Sequence, residues 1–435
     1  MSNNINVPKD KLSNMDGASP TKQRARLVVI LFVILLFSYV DRINISILLA
    51  DNAFLTDLGI KGDPVAMGML MTAFMIAYAA SNILFSPMSD YFGPRKALLI
   101  AFPIWAVSMS IGGLATGLSM MLMARVLLGV GEGMHYPVQM KYVKNWFPPI
   151  ERGKANSVWQ FGLFIGPALA MPILTWLIGS FGWRGSFFVL AALTVIPFML
   201  VWRYAADTPR DSRYVNAGEL EHIEAGLRVE REREMALEKA SFAESLKFFI
   251  YNYRYWIMVF CFMFNAASMF GIYTWLPSYL KAARGFSWAA MGALSSLPYV
   301  AGAVGLIICG YLGDKTGKRA VFCVIGNATM ALGIYMAAMV ENNMASAFCL
   351  ALAIFGAGLT LPSIWSISQN IVPTKALGAG VGLMNGIGSI GGALSPVIVG
   401  YIIKTSGSYV GGLMCLVACA AMASVLALGL VKEKF

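Results

Sequence analysis

Histidine is almost missing from this chain, which has two among its 435 residues. That leaves no material for a histidine-rich metal cluster, and no nucleophile–base constellation or phosphate-binding glycine loop stands out elsewhere. The six cysteines (Cys261, Cys309, Cys323, Cys349, Cys415, Cys419) all fall in apolar stretches of the second half, without metal-site spacing to histidine. Thiols in such helices are packing residues. An enzyme is therefore the least supported class, and neither metal nor cofactor is expected. Charge is scarce as well, at 13% of residues against about 25% in soluble domains. No cleavable leader is expected either: the first 26 residues are polar and basic, and the first apolar run is too long for a signal segment.

What the chain has instead is apolar length. Runs of about 20 apolar residues, each able to cross roughly 30 Å of hydrocarbon, recur throughout. They place twelve transmembrane helices at about 27–50, 65–88, 97–116, 119–143, 156–179, 184–205, 254–280, 288–312, 320–340, 345–368, 378–403 and 409–431. The expected organisation is a tail (1–26), a six-helix bundle (27–205), a linker (206–253), a second six-helix bundle (254–431) and a short tail (432–435). The linker stretch EHIEAGLRVEREREMALEKA reads as a solvated surface helix or tether. Of the 33 Lys/Arg, two (Arg42, Arg125) lie within the membrane and five (Lys61, Arg184, Lys281, Arg284, Lys404) on one side of it. The rest fall on the side of the termini, and the positive-inside rule makes that side cytoplasmic. The net charge of +11 thus reports topology and not a nucleic-acid partner.

Against this background two acids stand out. Of 22 Asp/Glu, only Asp41 and Glu132 lie deep inside apolar spans. Ionisable groups at that depth are costly and line ion or substrate paths. Arg125 and Glu132 are seven residues apart on one helix face. Arginine favours the charged carboxylate while desolvation opposes it, so such an acid can change protonation as its surroundings change. The other reading is a permanent pair that locks the helix. Arg42 beside Asp41 has the forked donors that suit a carboxylate ligand. His135, three residues past Glu132, is a candidate proton relay. Tyr39, Asn44, Tyr78, Gln160, Tyr273, Trp365 and Asn385 are the polar or amphipathic groups at substrate depth.

A loop pattern repeats between the halves: SPMSDYFGPRK at 86–96 and GYLGDKTGKR at 310–319. The second copy resembles the G-x-x-x-D-[RK]-x-G-[RK]-[RK] loop of the major facilitator superfamily; the first matches it in part. The resemblance implies an all-α fold of two pseudo-symmetric six-helix bundles, alternating access about a midplane site, and gating roles for Asp90, Gly93, Arg95, Asp314, Gly317 and Arg319. YVDRINIS in the first span, RVLLGVGEG followed by Tyr136-Pro137 in the fourth, WFPPIERGKA and WLPSYL look like the anion:cation symporter group. That group includes bacterial hexonate and hexuronate importers and animal sialic-acid and vesicular glutamate transporters. It implies a protonatable pair Asp41 and Glu132, substrate contact by Arg42, and coupling of Arg125 to Glu132. Asn385 matches a family position. Leu163 replaces a family glutamine, so either Gln160 takes its role or the substrate lacks hydroxyls there. The tenth span carries an additional proline, Pro362.

The expected protein is a monomeric inner-membrane importer of a small organic anion, such as a sugar acid, another carboxylate or a sulfonate, driven by the proton gradient. The glycine–proline element at Gly162–Pro167 keeps open an exporting proton antiporter of amphipathic compounds. A nutrient sensor is the third reading, and the short linker speaks against it.

Overall fold

The computed structural model describes residues 20–85, 92–236, 251–372 and 377–432. The described chain is helical, and its twelve spans follow the apolar runs. Those of the first half are Gln23–Leu48, Pro64–Phe85, Pro94–Leu114, then a fourth span made of Leu118–Gly133 and His135–Trp146. Pro149–Gln160 and Gly162–Leu193 run on through the fifth span into the sixth, which ends in Val195–Tyr204. The corner between fifth and sixth is Gly182, at φ 70° and ψ 171°, a conformation open to glycine alone. The second half contains Tyr253–Ser278 with a π turn at Tyr279–Ala283, Trp288–Leu294 with Leu297–Thr316, Arg319–Met339, Asn343–Ile371, Leu377–Ser406 and Tyr409–Lys432. Local chemistry marks the starts. Pro64 and Pro94 open their helices where no N–H is needed. Asn252, Ser287 and Asn342 accept the first free backbone N–H groups of theirs.

Packing reveals the internal symmetry. In the first half the second and third spans pack on the fourth, and the first packs on the fifth. In the second half the eighth and ninth pack on the tenth, and the seventh on the eleventh. Adding six to each number maps one set onto the other. The contacts between halves obey the same rule: second with eleventh, fifth with eighth, first with seventh.

Among the described residues, the polar contacts between halves all lie away from the termini. Ser278 donates to the Leu49 carbonyl (2.8 Å), Thr72 to the Ala393 carbonyl (2.7 Å) and the Trp288 indole to the Thr175 carbonyl (2.8 Å). Lys404 pairs with Asp63 at 3.2 Å. The second and eleventh spans cross through two reciprocal contacts. A Cβ on Gly68 would stand 2.4 Å from the Pro396 carbonyl oxygen, and one on Gly400 would stand 2.2 Å from that of Pro64. Only glycine permits this approach. On the face of the termini, the described hydrogen bonds and ion pairs stay within one half.

That face shows how the linker attaches. The linker helix Ala217–Ala236 begins with Glu219, which is fully buried instead of solvated. Its carboxylate accepts the Gln23 N–H (3.1 Å), the Arg24 N–H (3.0 Å) and the Arg24 Nε–H (3.2 Å), and also the Thr21 hydroxyl. The linker helix thereby caps the first span, while Glu221 and His222 just beyond Glu219 are exposed. The physical reason is the free N–H groups at a helix start, which attract a carboxylate. Arg24 also pairs with Glu151, and His222 approaches that carboxylate at 2.7 Å.

Replacing Glu219 by Ala removes this cap and should destabilise the first bundle by about 1–2 kcal/mol. Thermal unfolding of the purified protein measures the loss, and an unchanged midpoint would show that the cap adds no stability.

Candidate functional site

Glycines bring the fourth span into place. A Cβ on Gly129 would meet the Phe74 carbonyl oxygen at 2.5 Å, and one on Gly133 would meet that of Tyr78 at 2.6 Å. The fourth span therefore lies directly on the backbone of the second. Glu132, between these contacts, points toward the first span and is completely buried.

There it meets Arg42, whose Nη2 donates to Glu132 Oε2 at 3.1 Å. Ser38, one turn before Arg42, donates to the same oxygen at 2.7 Å. His135 Nε2 lies 3.0 Å from the Ser38 hydroxyl. A continuous chain Arg42–Glu132–Ser38–His135 thus joins the first and fourth spans. It places the histidine one hydroxyl away from the acid. Three aromatic rings cradle the Arg42 guanidinium, those of Tyr39, Tyr78 and Phe74, at 4.6, 4.8 and 5.0 Å. Such faces attract a cation without neutralising it.

The pairing is crossed relative to the sequence expectation. Arg125, expected to couple to Glu132, stays within electrostatic reach of it, while its Nε donates to the Leu70 carbonyl (3.3 Å) and its guanidinium packs over Phe74 at 4.7 Å. Helical spacing put Arg125 and Glu132 on one face, but the span between them is two turns long. Arg42, on a neighbouring helix, reaches the acid more directly. Asp41 is not held by an arginine either: it accepts the Trp105 indole N–H from the third span. Adjacent residues diverge by about 100° around a helix, so Asp41 and Arg42 serve different neighbours.

Several polar atoms here lack a partner among the described residues: Asp41 Oδ1, Glu132 Oε1, Arg42 Nε and Arg125 Nη2, with both amide atoms of Asn44. Buried polar groups are ordinarily satisfied. These atoms belong to residues of the first and fourth spans.

The remaining candidates divide. Tyr39 and Tyr78 join Arg42. Tyr273 faces this cluster from the second half, within electrostatic reach of Tyr39, and stacks on Tyr299 at 4.7 Å. Gln160 is half-buried at the break before Gly162, and Asn385 is exposed on the eleventh span. Trp365 packs edge-on against Phe262 at 5.4 Å, in a second apolar core with Tyr255 and Met258. Of the loop residues, Asp90 and the side chain of Asp314 lie outside the described residues. Gly93, at φ 86°, lets Asp207 reach the start of the third span, where it accepts the Arg95 N–H at 2.7 Å. Gly317, at φ 69°, ends the eighth span, and the Arg319 guanidinium lies against Gly313. Sequence reasoning passed over Ser38, Trp105 and Tyr299. A lone tryptophan within the aliphatic third span was the one available signal, since a buried indole N–H needs an acceptor.

A two-bundle membrane carrier with a buried, charge-bearing centre is the class that this fold and site define. Comparison with known proteins agrees. The model of the Major Facilitator Superfamily matches residues 31–396, and the chain belongs to that family, whose members are membrane transporters and not enzymes. It is 30% identical to a probable sulfoacetate transporter of Cupriavidus necator, covering 89% of each chain. It is also 30% identical to a probable galactarate/D-glucarate transporter of Escherichia coli, over 91% of this chain and 90% of that one. These relatives are consistent with the anion:cation symporter group. The fold is also that of a bacterial homologue of the human lysosomal transporter Spinster, in an inward-facing, occupied conformation. The TM-score is 0.76 and the identity 16%, covering 96% of this chain and 98% of that one.

The buried pair yields a stability prediction. Arg42→Ala leaves Glu132 charged and unpaired in the interior and should cost about 3–5 kcal/mol. Adding Glu132→Gln to that variant should restore most of the loss. Thermal unfolding in detergent compares the three proteins, and a double variant as unstable as Arg42→Ala would refute the pairing.

Proposed function

We propose that the chain imports a small organic anion together with protons, and that Glu132 and the substrate compete for Arg42. The observation that carries this reading is the Arg42–Glu132 bond inside a buried, aromatic cradle. With Glu132 ionised, the guanidinium is satisfied from within the protein. A proton on Glu132 weakens that bond and presents Arg42, charged and desolvated, to an incoming carboxylate or sulfonate. Deprotonation on the far side returns Glu132 to Arg42 and expels the anion. Asp41 is the second proton site in this scheme, and two protons moving with a monoanion make the cycle electrogenic. Arg125 holds the Leu70 backbone near the first bundle's interface and tunes the field at both acids.

The positive-inside pattern orients the termini to the cytoplasm, in the inner membrane of a bacterial cell. The contacts sealed away from the termini then correspond to an inward-facing state, and the self-paired Arg42–Glu132 fits release of the anion. A sugar acid is the favoured cargo, supported by the relative named for galactarate and D-glucarate. The relative named for sulfoacetate supports a small sulfonate. Leu163 reduces the hydroxyl-binding capacity of the fifth span. A thermal-shift screen of small carboxylates and sulfonates on the purified protein would select among them.

In proteoliposomes, Glu132→Gln should retain counterflow exchange of the acid so identified and lose pH-driven accumulation at least tenfold. Loss of exchange in a folded Glu132→Gln protein would make the pair structural. Arg42→Lys keeps the charge but loses the fork, and should weaken anion affinity about tenfold or more; unchanged affinity would remove Arg42 from the binding site. Uptake by the wild type should rise as external pH falls, because protonation of Glu132 is what frees Arg42.

A further inference from the structure

Trp105 touches both proton-handling branches of the site. Its indole N–H donates to Asp41 Oδ2, while its ring lies nearly parallel to that of His135, at 17° and 6.2 Å between centroids. His135 continues through Ser38 to Glu132. Trp105 is almost wholly enclosed, and the close approach of Gly131 to its backbone nitrogen, 3.1 Å from a built Cβ, fixes the third span against the fourth. The third span has no ionisable residue between Lys96 and its end at Leu114. Its contribution to the site is this one donor and this one ring.

We infer that Trp105 is a positioning residue for proton coupling, fixing which oxygen of Asp41 accepts the proton and holding His135 on Ser38. An indole N–H can only donate. It keeps Oδ2 occupied and leaves Oδ1, which has no partner among the described residues, as the oxygen that binds the proton. The charged groups that act on Asp41 are Glu132 and Arg125, both on the fourth span, and the seventh span, also packed on the first, brings Tyr273 near Tyr39. The fifth span, packed on the first, has no ionisable side chain from Gly162 to Gly182. Each of these charges acts on Asp41 through space, whereas Trp105 acts through one directed bond. The inference rests on the proton-coupled reading above, but its test does not need the substrate.

The test is an infrared pH titration of the full-length protein in lipid, following the carboxyl band that disappears in Asp41→Asn. Trp105→Phe keeps a ring against His135 and removes the donor. Losing a hydrogen bond to the charged carboxylate should move the titration midpoint upward by about one pH unit. A midpoint unchanged within 0.3 unit (roughly the size expected from general repacking) would overturn the inference. Should Trp105→Phe not fold, ¹⁵N-indole NMR of the wild type supplies the second readout, with Trp105 assigned by replacing the other tryptophans singly. Its indole resonance should titrate with pH and lose that dependence in Asp41→Asn; a resonance that does not titrate, or titrates equally in Asp41→Asn, refutes the bond. If the bond holds but Glu132→Gln retains pH-driven accumulation, the positioning stands and the transport reading falls.

Discussion

One charge pair organises the centre of this protein. Arg42 and Glu132 are both buried, so each requires the other, or a substitute, to remain ionised. This dependence is the useful property. A pair on the surface could separate at little cost and would transmit nothing. In the proposed cycle, separation is accompanied by a proton or an anion, because desolvation penalises either charge left alone. Phe74 contributes by meeting two guanidinium groups, those of Arg42 and Arg125, with one ring.

The surroundings serve that pair in layers. Glycines at 129 and 133 let the fourth span lie on the second, so the acid arrives at the right depth. Ser38 and His135 extend the acid's hydrogen bonding toward the termini. The first span, which carries Arg42, is itself anchored at its start by Glu219 of the linker. A stretch that connects the two halves thus also fixes the helix bearing the central cation. Gln23 adds to this anchorage by donating to the Tyr204 carbonyl at the end of the sixth span (2.8 Å).

Much of this was legible in the sequence, and the exceptions have a common cause. Apolar run length gave the spans, because bilayer thickness leaves little freedom in helix length. The rarity of buried charge pointed to Asp41, Arg42, Arg125 and Glu132, because the cost of burial makes such residues conspicuous. Who pairs with whom was not legible. Periodicity relates residues along one helix, and it related Arg125 to Glu132; the hydrogen-bonded partner, Arg42, comes from a different helix, whose rotation no single sequence specifies. Trp105 escaped for the same reason, being informative only once the third span is placed against the first. Glu219 was hidden within a run of similar charges, where nothing distinguishes the one carboxylate that turns inward.

The crossing of the second and eleventh spans has a consequence of a different kind. Where Gly68 meets Pro396 and Gly400 meets Pro64, main chain lies on main chain, with no side chain between them. A closure built this way has no titratable group and no stored charge, and proline carbonyls cannot change protonation. It responds to shape alone. The crossing of these two spans, away from the termini, is thus insensitive to pH and salt at its tightest point. The Lys404–Asp63 pair lies close by, but the closest approach itself is made by backbone alone.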